Sequence, residues 1–157
     1  DEKRLLYELS QMSNKNHLRL TKLALATGFR RSELLSLTWR NIDLKKRIIY
    51  IYRKNCAATD NSSVLRLVPL PEEAQKILEE LSERNGKVIE LSKGAARNGF
   101  DKARKKAGLE TLRFHDLRHI AISRFWSSGM NALEISAYSG HRDIKMLMRY
   151  SHYQLLL

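Results

Sequence analysis

A single cysteine, Cys56, stands in 157 residues, so no internal disulfide can form and a cysteine-based zinc site has no partner residue. Cys56 is read as a free, unreactive thiol. No stretch approaches the roughly 20 consecutive apolar residues that a membrane span requires, and the charged start, Asp1 to Arg4, does not have the make-up of a signal peptide. The expected location is therefore cytoplasmic, with no membrane partner. Acidic residues are short: 17 Asp and Glu face 29 Lys and Arg, a formal charge of +12 and a pI near 10.0, which favours a polyanionic partner. DNA, RNA and an anionic membrane surface all fit that charge. Internal repeats and low-complexity segments are lacking too. His115, His119 and His141 complete no metal-binding signature such as H-E-x-x-H, and the carboxylate cluster of a metal-dependent nuclease is missing. No metal and no cofactor are expected.

What is present suits one globular domain, residues 1–157, with a hydrophobic fraction of 43% and a charged fraction of 29%. The chain starts without methionine and already in a helical pattern, so it is expected to be a piece of a longer protein that carries a further N-terminal domain. Residues 2–13 have a helical pattern. A second helix is expected from about Leu18 to Thr27, with Leu20, Leu23, Ala24 and Thr27 on one face and Gly28 ending it. That places Arg30 on a turn, with Ser32 as the cap of a short helix carrying Glu33, Leu34 and Leu37.

From Ile42 to Tyr52 the residues alternate and turn as strands do, and Val64 to Leu70 can pair with them across a polar loop, Asn55 to Ser63. Pro71, Glu72 and Glu73 open a helix whose inner face is Ala74, Ile77, Leu78 and Leu81. Further helices carry Phe100, Ala103 and Ala107, then Leu117, Ile120, Ala121 and Phe125. Asn131 with Glu134 reads as a capping box, and a last helix begins near Asp143 with Ile144, Leu147 and Met148 as its apolar stripe and Tyr150 off it. The fold class is α+β and mainly helical, with a small antiparallel three-stranded sheet inserted after the first helices.

Three places suit phosphate chemistry. Arg30 leaves a tight turn beside a helix start, where free N–H groups and a guanidinium can hold an anion; alone, it would be a solvated surface charge with Glu33 as a first-turn neighbour. His115 and Arg118 lie three apart on one helical face while Leu117 and Ile120 point inward, and His119 is read as a packed residue or one that supports a site residue from behind. Ser139, Gly140 and His141 precede the last helix, where Tyr150 is placed to face a cleft. Packing or a surface hydroxyl is the ordinary role of a lone tyrosine there, and Tyr153 has an equal claim on that ground.

Taken together, in order and over residues 27–152, these segments resemble the tyrosine recombinase, or phage integrase, family. The first arginine motif of that family is matched by Gly28, Phe29, Arg30 with Ser32, Glu33, Leu34. The His-x-x-Arg-His box is matched by His115 to His119, and the Gly-His pair by Gly140 and His141. The tyrosine nine residues after that histidine is Tyr150, followed by Ser151 and His152, a spacing that selects it over Tyr153. The family's strand-loop lysine falls on Lys54, upstream of Arg66, Val68, Pro69 and Leu70. Ser139 stands where the family usually has Leu, Asn41 where it often has Asp, and Met146 with Leu147 where it often has two Thr.

The resemblance implies a helical catalytic domain that cuts and rejoins double-stranded DNA. Tyr150 would attack a phosphodiester to give a 3'-phosphotyrosine and a free 5'-hydroxyl, Arg30 and Arg118 would clamp the charged oxygens, and Lys54 would protonate the leaving oxygen. His115 or His141 would manage the tyrosine proton, and Glu33 would orient Arg30 or a histidine. The remaining basic residues would neutralise DNA backbone, and Lys93 and Arg97, at the start of a helix, are candidates to approach a groove, with a solvated charged face as the alternative. The resemblance also implies an N-terminal core-binding domain and assembly on DNA, with a tetrameric synapse of the full-length protein; the apolar end, Leu155 to Leu157, either packs on its own domain or docks on a neighbour. A type IB topoisomerase would share the arginine and tyrosine chemistry, and a non-catalytic DNA-binding module would need the charge alone.

Overall fold

The computed structural model describes residues 1–54, 63–82 and 84–150. Eight helices and one three-stranded sheet are formed among them: α1 (Glu2–Ser10), α2 (Asn16–Thr27), α3 (Arg31–Ser36), β1 (Ile42–Asp43), β2 (Ile48–Lys54), β3 (Ser63–Pro69), α4 (Glu72–Glu79), α5 (Lys93–Lys106), α6 (Phe114–Ser127), α7 (Ala132–Ser139) and α8 (Lys145–Met148). A single 3-10 turn, Trp39–Asn41, leads into β1. This is the expected mainly helical α+β architecture, with the sheet placed after the first three helices. The residues expected as the loop from Asn55 onward, Cys56 among them, lie outside the described part, as do Ser151, His152, Tyr153 and Leu155 to Leu157.

Helix ends are set by local chemistry. Gly28 closes α2 in the left-handed conformation (φ 67°) and returns its N–H to Ala24, and Gly140 closes α7 the same way (φ 66°). α1 stops at Ser10, three residues short of the expected span, and Gln11 caps it. The cap of α3 is Arg30 and not Ser32, because Arg30 is extended (ψ 147°) and the Glu33 carboxylate reaches back three residues to accept its backbone N–H at 2.9 Å. The last helix also departs from expectation. α8 is a single turn, in which Leu147 is buried while Ile144 and Met148 are exposed, and Tyr150, three residues after Leu147, continues the buried face.

The sheet runs β1-β2-β3, antiparallel throughout, with Ile49 opposite Val68 and Ile51 opposite Arg66. Ile49, Ile51 and Val68 are buried, so Arg66 lies on the inner face. The opposite face carries Tyr52, Leu65 and Leu67 to solvent. Val88, Ile89 and Leu91, to which the pattern assigned no element, are also buried, with Val88 N–H donating to Leu37 O at 3.0 Å.

Two apolar clusters form. The larger gathers Leu5 and Leu9 of α1, Leu20 and Leu23 of α2, Phe29, Leu34, the inner face of the sheet, Leu78, Phe100 and Leu117. The smaller holds Ile122, Trp126, Ile135, Leu147 and Tyr150. Helix α6 belongs to both, its first half in one and its second half in the other.

The α7 start depends on a cap that can be removed: Asn131 Oδ1 accepts from Leu133 N at 2.9 Å and Glu134 N at 3.0 Å, while Glu134 accepts from Asn131 N. Replacing Asn131 by Ala is expected to cost about 1 kcal/mol, with Asn131→Ser restoring most of it. Urea unfolding of the two variants checks this, and an unchanged midpoint for Asn131→Ala would be contrary to expectation.

Candidate active site

The site is built where two helices end and two begin. Thr27 Oγ1 donates to Leu23 O at 2.6 Å and accepts from Phe29 N at 3.2 Å, which fixes the turn after α2 and delivers Arg30 to the start of α3. Glu33 then organises two arginines. Its Oε1 lies 3.5 Å from Arg30 Nη1 and 3.3 Å from Arg66 Nη2, with the carboxylate side chain only 9% exposed. In the sequence Arg66 serves only as a landmark for Lys54; in the sheet it stands opposite the inward Ile51. Its guanidinium rests over the Phe29 ring, 5.5 Å from the centroid, and against Gly140, where a β-carbon would collide with it. The carboxylate expected to orient Arg30 or a histidine thus lies against both Arg30 and Arg66.

Arg118 of α6 is 3% exposed. Its Nη1 donates to Gly28 O at 2.7 Å and its Nη2 to Ser139 O at 2.6 Å. Each carbonyl belongs to the C-terminal end of a helix, where the peptide dipoles present partial negative charge. Burial, followed by the nearby Arg30, pulls the Arg118 guanidinium down to about 10, against which Glu33 acts in the raising direction. It stays protonated at neutral pH.

His141 follows Gly140, its ring nitrogens 3.4 Å from Arg118 Nη2 and its Nδ1 2.7 Å from Ser139 Oγ. Ser139, where the family more often has Leu, thus supplies both a carbonyl to Arg118 and a hydroxyl to His141. Asn41, another departure, is structural: its Oδ1 accepts from the Thr38 amide and hydroxyl. Burial, then Arg118, Arg30 and Arg149, push the His141 pKa down to about 4. The pKa of His115, in the first turn of α6, is lowered in the same direction by partial burial, His119, Arg118 and Arg30.

Phe29, Arg30, Arg31, Arg113, Phe114, His115 and Arg118 line a pocket of about 280 Å³. Arg31 lies over the Phe114 ring at 5.8 Å and Arg113 pairs with Asp116 at 3.3 Å. Arg30 Nη1 is enclosed and makes no hydrogen bond. Tyr150, which interacts electrostatically with Arg118, is 8% exposed, with its hydroxyl hydrogen-bonded to His119 Nδ1 and its ring stacked on that of His119 at 5.9 Å. The expectation that Tyr150 stands off the packed face is corrected: it packs with Leu147, since a one-turn helix turns only that face inward.

The structure thus brings together Arg30, Glu33, His115, Arg118 and His141, adds Arg66, and sets Tyr150 against His119. Lys54 ends β2 opposite Ser63, and its side chain lies outside the described part. Lys93 and Arg97 are not brought to the cluster: they are exposed on α5, which packs on α1 and α2, and Arg97 lies 3.9 Å from Asp101. Among the described residues no group of three or more His, Cys, Asp or Glu is arranged to hold a metal ion, and no helix is long and apolar enough to cross a membrane.

The lowered His141 pKa has a measurable sign. The unfolded chain takes up this proton near the ordinary 6.5 and the folded chain only near 4, so between those values the unfolded state binds more protons. Stability is expected to fall as pH drops through that window, and His141→Gln should flatten that part of the curve. A ring titration followed by NMR should show His141 neutral down to about pH 4; a midpoint near 6.5 would contradict the geometry.

Residues 1–155 match the family model described as the phage integrase family. The chain is 38% identical over 133 residues to the shufflon-specific DNA recombinase of Escherichia coli, covering 83% of this chain and 33% of that protein. It spans about a third of the length of the curated relatives it matches. The catalytic domain of bacteriophage HP1 integrase superposes with a TM-score of 0.76 at 28% identity, covering 96% of this chain and 83% of that one. The Tn1549 transposon integrase, solved in complex with circular intermediate DNA, shares the fold with a TM-score of 0.66 at 20% identity, over 95% of this chain and 59% of that one. On the motifs, the fold and these matches, the chain belongs to the phage integrase family.

Proposed function

We propose that this chain is the cutting and rejoining domain of a site-specific DNA recombinase, acting on a phosphodiester through a 3'-phosphotyrosine. The observation that carries the reading is a pocket walled by Arg30, Arg31, Arg113, Arg118 and His115 with no carboxylate in its lining, whose Arg118 interacts electrostatically with a tyrosine that a histidine holds by its hydroxyl. Such a cavity accepts a singly charged diester, and a basic chain with a relative solved on DNA makes duplex DNA the substrate of choice.

In the reaction, Tyr150 Oη attacks phosphorus and the 5'-oxygen departs. The pentavalent transition state gathers charge on the non-bridging oxygens. Arg118, whose donors are set by two helix ends, and Arg30, set by Glu33, are the groups to meet that charge, each contributing on the order of 3 kcal/mol. His115 and His141, whose protonated forms this field disfavours, offer hydrogen bonds to the same oxygens. Arg66 positions Glu33 and so Arg30. Lys54 supplies the proton to the 5'-oxygen. Lys93 and Arg97 contact backbone phosphates away from the pocket. The full-length protein adds an N-terminal core-binding domain, assembles on DNA as a tetrameric synapse and works in the cytoplasm on nucleoid DNA.

A duplex nicked near the cleavage site, which traps the covalent adduct, tests the chemistry. Wild type is expected to form the adduct, Tyr150→Phe to lose it while keeping DNA binding, and Tyr153→Phe to keep it. An adduct in both variants would exclude a tyrosine-linked mechanism at either position. Lys54→Ala should slow cleavage of a normal 5'-oxygen far more than that of a 5'-phosphorothiolate, whose sulfur leaves unprotonated. Equal losses on both substrates would place Lys54 in binding.

A further inference from the structure

We propose that His119, and not His115 or His141, takes the proton of the Tyr150 hydroxyl during attack; this rests on the cleavage reading above and names the base for it. The contact is direct. His119 Nδ1 is hydrogen-bonded to Tyr150 Oη, and the two rings are stacked with an interplanar angle of 27° and centroids 5.9 Å apart. The other two histidines are engaged otherwise: His115 meets His119 edge-on at 4.9 Å, and His141 Nδ1 is turned to Ser139 Oγ. His119 also follows Arg118 directly on α6, so the residue that holds the proton acceptor is fixed to the residue that meets the phosphate.

The proton balance is simple. Neutral His119 carries its hydrogen on Nε2 and offers the Nδ1 lone pair. As the Oη–P bond forms, the Oη–H bond breaks, its electron pair passes to the new bond and its proton to Nδ1; the P–O5' bond breaks and the 5'-oxygen takes a proton from its own acid. In rejoining, the Nδ1 proton returns to the departing tyrosine oxygen. The surroundings favour the neutral acceptor. Partial burial is the main effect lowering the His119 pKa, aided by Arg118 on its own helix, Arg149 after α8 and Arg113 before α6, and opposed by Asp116. His115, across the ring contact, and His141 are the titratable histidine neighbours that feel its charge.

The test uses the whole chain and the nicked duplex, with adduct formation timed from about pH 5 to 9. His119→Asn places an acceptor near the Nδ1 position that cannot hold the proton, and His119→Ala removes it. Both are expected to slow adduct formation by about 100-fold or more near neutrality, with DNA binding retained. Wild type should lose rate as acid protonates His119, whereas both variants should lose that acid limb and instead gain rate steadily toward the phenol's own pKa of about 10. His119→Asn within about threefold of wild type, or slowed with the wild-type pH profile, would overturn the assignment while leaving the cleavage reading intact. No adduct from wild type would sink both. Should the variants fail to fold, ring nitrogen shifts of the wild-type protein decide: Nδ1 unprotonated and sensitive to Tyr150→Phe is expected, and a proton on Nδ1 refutes the proposal.

Discussion

Everything at this site depends on keeping the Arg118 cation buried without neutralising it. A buried charge is ordinarily paired with an opposite one, because removing it from water costs several kcal/mol. A carboxylate bonded directly to Arg118 would cancel its field. The fold meets the cost with the carbonyls of Gly28 and Ser139, which bring the negative ends of α2 and α7 onto one guanidinium. Partial charges satisfy the donors and leave the net positive charge in place. That arrangement explains why both helices stop at a left-handed glycine beside the same residue: each must turn its last carbonyls toward Arg118 and then leave at once.

Glu33 solves a related problem differently. One carboxylate stands between Arg30 and Arg66, holds the backbone of Arg30, and so restrains three groups with a single negative charge. The excess of guanidinium over carboxylate has an effect beyond ligand binding. Together with burial it disfavours the protonated forms of His115, His119 and His141, most of all that of His141.

The helices were legible because their signals are local: Gly28, the Asn131 and Glu134 pair, and the alternation across Ile48 to Tyr52 each act within a few residues. The cap of α3 was misplaced because Ser32 has the preferred side chain while the decisive bond comes from Glu33 reaching backward to Arg30. The roles of Arg66 and His119 were hidden for another reason. Arg66 meets Glu33 from 33 positions away and His119 meets Tyr150 from 31, separations that no periodicity encodes. An arginine on the inward side of a strand was the available signal for the first. For the second, helical spacing gave only the neighbours on α6 and nothing of what α8 would bring. The one-turn length of α8 likewise could not be read from the alternation of Ile144, Leu147 and Met148, since a stripe predicts a face only if the helix persists long enough to present it.

The division of the interior into two clusters separates the anchorage of the arginines from that of the tyrosine. Arg30, Glu33 and Arg66 stand on elements fastened to the larger cluster, whereas Tyr150 and α8 rest on the smaller, with Leu147 as the fully buried residue of that turn. Local release of a segment costs roughly in proportion to the apolar surface it uncovers. Releasing α8 with Tyr150 therefore costs a fraction of what releasing the elements that carry Arg30, Glu33 and Arg66 costs, and the molecule has a mechanical fuse: one small part can loosen while the remainder stands.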